Sequence, residues 1–404
     1  MLVLGLLSAC TSGPASQASG APRPSSSSSR TASALQEPRN FSRGPADKSS
    51  RGDELVSVTT LAGSLDVPWG VAFLPDGGAL VTERRTLRVL KVGPRRQPDG
   101  ELTVAPVATI TEATSDNEGG LLGIAASPSF VRDQTVFIYY TTTIDNRIAR
   151  LRLGGPPQPI VTGIPHSGIH NGGRLAFGPD GYLYASTGDA SGTDNPQSLA
   201  SLGGKILRMT VEGKPVPGNP FHDSLVWSYG HRNPEGMAWD AEGNMYVAEI
   251  GQAVWDELNV IQPGRNYGWP KVEGIGNDPA YVDPIVAWHP EVGVSAGVAI
   301  HGRTAVVTCL RGQRIYLVWV DGAVARGVDS RRVEGGPDPS GIRWRPDAGV
   351  VGHPVEALAT KYGRLRTAIS APDGSIWLTT SNRDGRLDRQ PARDDDRILR
   401  LALR

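Results

Sequence analysis

Cysteine is almost absent from this 404-residue sequence: there are two, Cys10 and Cys309. A disulfide framework is thereby excluded, and no CxxC or CxxCH spacing exists for zinc, thiol redox chemistry or c-type haem. Neither sign of charge is in excess, with 41 Lys+Arg against 41 Asp+Glu. That balance gives no electrostatic basis for nucleic acid or an anionic membrane surface as the main partner. No GxGxxG follows a strand, no P-loop is present, and no long amphipathic helices separate the apolar segments, which disfavours a parallel sheet and a nucleotide ligand. What is abundant is punctuation. The chain holds 50 glycines and 32 prolines, residues that favour turns and strand ends over helix interiors.

The N-terminus has its own composition. Met1 to Ala9 (MLVLGLLSA) is an apolar run, too short to span a bilayer, that ends in Leu7-Ser8-Ala9-Cys10. This matches a bacterial lipobox, in which Cys10 becomes the acylated first residue of the mature protein. The run lacks a basic n-region, as a start codon upstream of Met1 would leave it. Residues 11–53 are rich in Ser, Pro, Ala and Arg, with five serines in a row at 25–29. Such a segment buries too little apolar surface to offset its ordering entropy and reads as a disordered tether. The expectation is an extracytoplasmic lipoprotein that meets the membrane only through Cys10, with Cys309 a small buried hydrophobe.

From residue 54 to 404 one pattern recurs six times: apolar-Ala-apolar, a Pro-Asp-Gly turn or a relative, then an apolar strand. The copies are 70–83, 123–140, 174–187, 236–249, 297–309 and 367–380. Each reads as a β-hairpin, with Asp-Gly supplying the turn. A second series follows, with TLRVLKV (86–92), RIARLRL (147–153), KILRMTV (205–211), DELNVI (256–261), RIYLVWV (314–320) and RILRLAL (397–403). These alternate apolar and polar residues, which predicts an outer strand with one wet face. The repeated alanines Ala72, Ala125, Ala176, Ala238 and Ala299 are 53, 51, 62 and 61 residues apart, so the loops carry insertions. The pattern predicts an all-β, six-bladed β-propeller of four-stranded antiparallel blades, the last completed by an early segment such as 55–59.

A propeller hosts many activities, so function is read from the site. His170, just before an inner strand, is placed to act as a general base, and Asp189 at the far end of the same hairpin can return to orient its imidazole. Alone, a loop histidine is as readily a surface or capping residue. Arg232 and Asn233 in YGHRNPEG, Arg364 and Arg366 in YGRLR, and Arg311 fall at corresponding blade ends. Four arginines at one channel mouth suit a multiply anionic ligand. Glu257 is a candidate calcium ligand, or a glutamate on a wet strand.

Taken in order, PWGVAFLPDG, EGGLLGIAASPSF, HNGGRLAFGPDG, GHRNPEGMAW, NYGWP and GRLR make the domain resemble the soluble glucose/sorbosone dehydrogenases. The likeness is greatest to the bacterial aldose sugar dehydrogenases that use pyrroloquinoline quinone (PQQ). The resemblance implies that His170 is the base for the sugar C1 hydroxyl while hydride moves to the quinone, yielding a lactone, with Asp189 as its carboxylate. It implies that Arg232 and Asn233 contact the quinone and that Arg364 and Arg366 grip cofactor carboxylates. Glu257, with the Tyr267 carbonyl, would match a structural Ca²⁺ site. An aldose substrate and an external electron acceptor follow as partners. Two positions depart: Glu118 stands where the family carries Gln, and Arg311 where it carries a cofactor-binding Lys. A glutamate beside three carboxylates is expected either to weaken PQQ binding or to be protonated. Two other readings stay open, a calcium-dependent lactonase and a non-catalytic propeller that binds a sugar or protein.

Overall fold

Short apolar strands joined by tight turns cannot bury both faces within one hairpin, so they must stack, and here they stack radially. The computed structural model describes residues 55–96, 100–291, 295–320, 342–344, 354–387 and 389–404. The lipobox Cys10 and the segment 11–53 lie outside the described residues. Six antiparallel sheets follow one another along the chain. In blade one, Pro68–Phe73 is innermost and is followed outward by Ala79–Glu83, Arg88–Arg96 and Leu102–Thr109. The inner strands of blades two to six begin at Leu121, Leu175, Pro234, Ser295 and Leu365. Blade four carries a fifth short strand, Ile342–Trp344, antiparallel to Val286–Trp288. The only helix among the described residues is the single turn Phe130–Asp133.

The predicted early segment does complete the last blade. Leu55–Ala62 pairs antiparallel with Ile398–Leu403, from Leu55↔Leu403 to Ala62↔Ile398. Below it, Asp396 locks the seam. Its carboxylate accepts from the Val67 and Arg383 amides at 3.2 Å and from the Thr380 hydroxyl at 3.0 Å.

The second sequence series departs from expectation. Those segments are the third strands, not the outermost, and they have no consistent wet face. Lys205–Met209 and Asp256–Ile261 are buried along their whole length. The physical reason is the stacking: each sheet is covered on both faces by its neighbours, so the polar members of the alternation must find internal partners. Lys205, fully buried, donates to the carbonyls of Asn195, Pro196 and Gly203 at 2.6–3.0 Å.

Close approach at the axis explains the glycine that precedes the repeated alanine. A Cβ on Gly123 would sit 2.1 Å from the Gly173 carbonyl oxygen, and one on Gly297 2.5 Å from that of Arg366. Arg174 bridges the centre. Its guanidinium lies 4.2 Å over the Trp69 ring, its Nε donates to the Glu235 carbonyl at 2.7 Å, and Nη2 donates to Thr367 Oγ1 at 3.1 Å. One side chain thus ties blades one, three, four and six. Cys309 is buried as expected, and burial pushes its thiol well above its ordinary range.

Replacing Asp396 with Ala strands several buried donors at the seam. Urea denaturation of Asp396→Ala is expected to show a loss of about 3–5 kcal/mol. A loss below about 1 kcal/mol would show that the strand pairing alone closes the ring.

Candidate active site

Loops that precede an innermost strand, or follow a second strand, all emerge at one end of the channel. Together they enclose a cavity of about 410 Å³. Seven of the residues singled out from the sequence line it: Glu118, His170, Arg232, Asn233, Arg311, Arg364 and Arg366. Asp189 stands directly behind His170.

The histidine is built with care. His170 has φ of 60°, a conformation that L residues adopt at a cost of about 1–2 kcal/mol. Three contacts hold it there: its amide donates to Glu118 Oε2 at 2.9 Å, its carbonyl accepts from Ala190 N at 3.1 Å, and the chain at Gly188 passes against it. A Cβ on Gly188 would lie 1.9 Å from the His170 carbonyl oxygen, so only glycine permits this crossing. His170 Nδ1 is 2.8 Å from Asp189 Oδ1, and His170 Nε2 is 2.9 Å from Arg232 Nη2. Arginine has no acceptor, so Nε2 must carry the lone pair and Nδ1 the hydrogen given to Asp189. Geometry therefore fixes a neutral imidazole with its basic nitrogen facing the cavity.

Asp189 is ionised. Burial raises its carboxyl, but His170, the Ser191 amide and the Trp269 indole outweigh this and hold it below the ordinary carboxylate value. Trp269 Nε1 donates to Asp189 Oδ2 at 2.8 Å, while the Arg232 guanidinium lies 5.4 Å from the Trp269 ring.

Burial pushes the Glu118 carboxyl up, and Arg386, the His170 amide and Arg366 outweigh it and hold it below the ordinary carboxylate value. It meets Arg386 Nη1 at 2.5 Å. Its role is to neutralise one guanidinium and to hold the His170 backbone. Arg364 and Arg366 do converge, around Asp384: Arg364 Nε is 2.9 Å from Asp384 Oδ2, and Arg366 Nη1 is 2.5 Å from Glu235 Oε2. Asn233 accepts from the Gly172 amide at 2.9 Å, tying blade four to the histidine loop. Arg311 is exposed and has no ion pair among the described residues.

The residues that sequence reasoning missed are the partners: Glu235, Asp384, Arg386, Trp269 and Arg84. Asp384 and Arg386 occupy the loop after a second strand in blade six, the position of Asp189 in blade three, and that equivalence was a usable signal. Trp269 had none. Its loop leaves the opposite end of blade four and climbs the outer edge of blade three, with Tyr267 N donating to the Tyr229 carbonyl at 2.9 Å and Trp269 N to that of Gly230 at 3.0 Å.

Glu257 and Tyr267 border a second, small cleft that shares Arg232 and Gly251 with the main cavity. Burial and the neighbouring Glu249 push the Glu257 carboxyl up to about 8. Asn259 Oδ1 beside it is buried with no partner among the described residues. The Tyr267 hydroxyl is committed to the Val260 carbonyl at 2.7 Å, leaving its carbonyl as the available oxygen. Among the described residues no group of three or more His, Cys, Asp or Glu is arranged to hold a metal ion. The oxygen-only donor set, with one unpartnered amide oxygen and a carboxylate destabilised by burial, is compatible with a hard dication.

The cavity also fits a polycarboxylate. Of the lining arginines, Arg232 and Arg311 have guanidiniums with no carboxylate partner among the described residues, and Arg232 Nε is buried without any acceptor. Two guanidiniums at the cavity are thus open to anionic oxygens, which suits a ligand that carries carboxylates.

Comparison with known proteins agrees with this geometry. The family model for Glucose / Sorbosone dehydrogenase matches residues 65–389. The PQQ-bound aldose sugar dehydrogenase from Streptomyces coelicolor superposes with a TM-score of 0.76 at 38% identity, covering 87% of this chain and 98% of that one. A putative oxidoreductase (glucose dehydrogenase) from Thermus thermophilus gives a TM-score of 0.72 at 40% identity, covering 86% and 99%. Aldose sugar dehydrogenase YliI of Escherichia coli K12 is 33% identical over 236 residues, 53% of this chain and 62% of its own length.

The Gly188 crossing yields a prediction independent of any reaction. Gly188→Ala must displace either His170 or its own backbone just after the strand Leu183–Thr187, and chemical denaturation is expected to show a cost of about 3 kcal/mol or more. Wild-type stability in that variant would mean that the His170 loop yields freely and is not preorganised.

Proposed function

The chain belongs to the glucose/sorbosone dehydrogenase family, and from that premise we propose that it is a PQQ-dependent aldose dehydrogenase oxidising the sugar C1 hydroxyl to a lactone. The observation that carries the proposal is the Asp189–His170–Arg232 line, which presents an unprotonated imidazole nitrogen to a cavity rich in arginine. PQQ, when bound, supplies an electrophilic quinone that takes up the two electrons and the hydrogen leaving the sugar carbon. Arg232, Asn233, Arg311, Arg364 and Arg366 are the residues that would hold it, the last two as a pair already preorganised on Asp384 and Glu235.

The work of the chain is the proton. His170 Nε2 now accepts from Arg232, and a sugar hydroxyl, also a donor, takes that place as the substrate enters. Arg232 keeps its hold through the Ile250 carbonyl at 3.1 Å and that of Gly251. As His170 gains the C1 hydroxyl proton it becomes cationic, and the ionised Asp189 stabilises that charge through Nδ1. Trp269 keeps Asp189 from rotating away. Arg232, freed toward the cavity, faces the side on which negative charge develops, which suits electrostatic stabilisation. Glu257, Asn259 and the Tyr267 carbonyl would take Ca²⁺ behind Arg232, relieving the strain of a buried carboxylate and stiffening the loop that carries Trp269.

A lactonase needs a metal ion near the channel centre. The guanidiniums of Arg174 and Arg366 occupy that region instead, which favours an anion over a dication. The Leu7-Ser8-Ala9-Cys10 motif supports the further reading that the enzyme works outside the cytoplasm, held to the membrane by a lipid on Cys10, and passes electrons to an external acceptor.

Dye reduction with a panel of aldoses, in the presence and absence of PQQ and Ca²⁺, tests the proposal. Turnover is expected only with PQQ. His170→Ala is expected to lower kcat by about 10³-fold or more, and Asp189→Asn by about 10²–10⁴-fold, both with folding intact. PQQ-dependent turnover that survives His170→Ala would refute the assigned base. A folded wild-type protein that neither binds PQQ nor turns over would favour the non-catalytic propeller.

A further inference from the structure

Arg84 follows the second strand of blade one, in the loop where blade three carries Asp189 and blade five carries Arg311. It is 3% exposed. Its backbone is fixed, with the amide donating to the Val67 carbonyl at 3.1 Å and the carbonyl accepting from Leu121 N at 3.3 Å. The neighbouring blade makes room for it: Gly120 has φ of 148°, and a Cβ there would lie 2.8 Å from Arg84 Cγ. Yet the guanidinium has nothing to bond. Nε is buried without a partner, and the terminal nitrogens donate to no described residue.

Its surroundings sharpen the point. Glu118, Glu235 and Asp384 all act on it electrostatically, as does the like charge of Arg366. Each of those carboxylates is already engaged, Glu118 by Arg386, Glu235 by Arg366 and Asp384 by Arg364. Burial and Arg366 together push Arg84 down to about 10, so its cation is held at a disadvantage. Arg174 is the useful contrast: it is as deeply buried, but it is bonded to Glu235 and Thr367 and stacked on Trp69. Arg174 is a structural bridge, whereas Arg84 has five donors and no structural use for them. A buried cation left unbonded is costly, and the cost is removed when an anion arrives.

Arg84 is not itself a lining residue, but Glu118, Glu235 and Arg366, which act on it, are. We propose that Arg84 is an additional ligand-binding residue of this site, giving its guanidinium fork to a carboxylate that reaches past those lining residues. The inference rests on the reading of the cavity as the PQQ site, and it names one further residue that holds the cofactor from the blade-one side.

The test uses the full chain as wild type, Arg84→Met and Arg84→Lys, with two readouts: PQQ affinity by absorbance titration, and Tm with no anion present. Arg84→Met is expected to bind PQQ about 10- to 100-fold more weakly, with Arg84→Lys in between because it keeps the charge but not the fork. The Tm of Arg84→Met without PQQ is expected to be unchanged or higher, since an uncompensated charge has gone. Unchanged affinity in a folded Arg84→Met overturns the proposal. So does a Tm that falls by more than about 5 °C, which would make Arg84 a structural post. If Arg84→Met does not fold, Arg84→Lys decides, with weaker binding supporting the role and wild-type binding refuting it. Citrate separates this inference from the proposed cofactor. Stabilisation of the wild type by citrate that is lost in Arg84→Met, with no PQQ binding, would uphold Arg84 and sink the PQQ reading. No response to either anion in the wild type sinks both.

Discussion

Pairing of the strand Leu55–Ala62 with Ile398–Leu403 closes the ring, and everything at the channel mouth depends on that closure. Without it the six blades would form an open arc, and the loops of blades one and six would not face those of blades three and four. The inner strands then approach so closely that only glycine fits at several crossings, which brings arginines from opposite sides of the ring within reach of the same carboxylates. Arg366 from blade six on Glu235 from blade four is the clearest product. Ring closure is thus a condition of the electrostatics as well as of the fold.

Charge at the mouth is arranged in two populations. Arg364, Arg366 and Arg386 are neutralised by Asp384, Glu235 and Glu118, which fixes their positions before any ligand arrives. Arg232 and Arg311 have no such partner and carry the excess, with the unpaired Arg84 buried behind them. Preorganised donors in a site sheltered from water act more strongly on an anion than the same groups would on an open surface. A chain with no net charge can therefore still hold a locally cationic cavity, because its 41 cations and 41 anions are not spread evenly.

The histidine shows how local strain is maintained. A left-handed backbone at His170 persists because Glu118, Ala190 and Gly188 over-determine it. Glu118, which reads in the sequence as an awkward charge beside an anionic cofactor, holds the His170 backbone. Its carboxylate is also paired with Arg386. The insertion 262–285 contributes Trp269 from the far end of blade four, so the orientation of Asp189 depends on a loop that begins at the opposite end of the neighbouring blade.

The fold was legible because its signal is local: Asp-Gly turns and period-two alternation act over a few residues, and their six-fold recurrence counts the blades. The pairing of His170 with Asp189 was legible for a related reason, since they end the same hairpin and a hairpin returns its ends to one place. The gathering of Arg232, Arg311, Arg364 and Arg366 at one cavity was legible from their equivalent blade ends. What the sequence left undetermined is whatever depends on distance across the ring. No local rule says that Arg366 meets Glu235, that Glu118 meets Arg386, or that Trp269 reaches Asp189, because those partners are separated by tens to hundreds of residues. The same limit misassigned the third strands a wet face: alternation along a strand reports two faces, but only neighbouring blades decide whether either one meets water. Sequence determined the turns, the strands and the chemical types at the mouth; tertiary packing alone decided which charges were neutralised and which were left to bind.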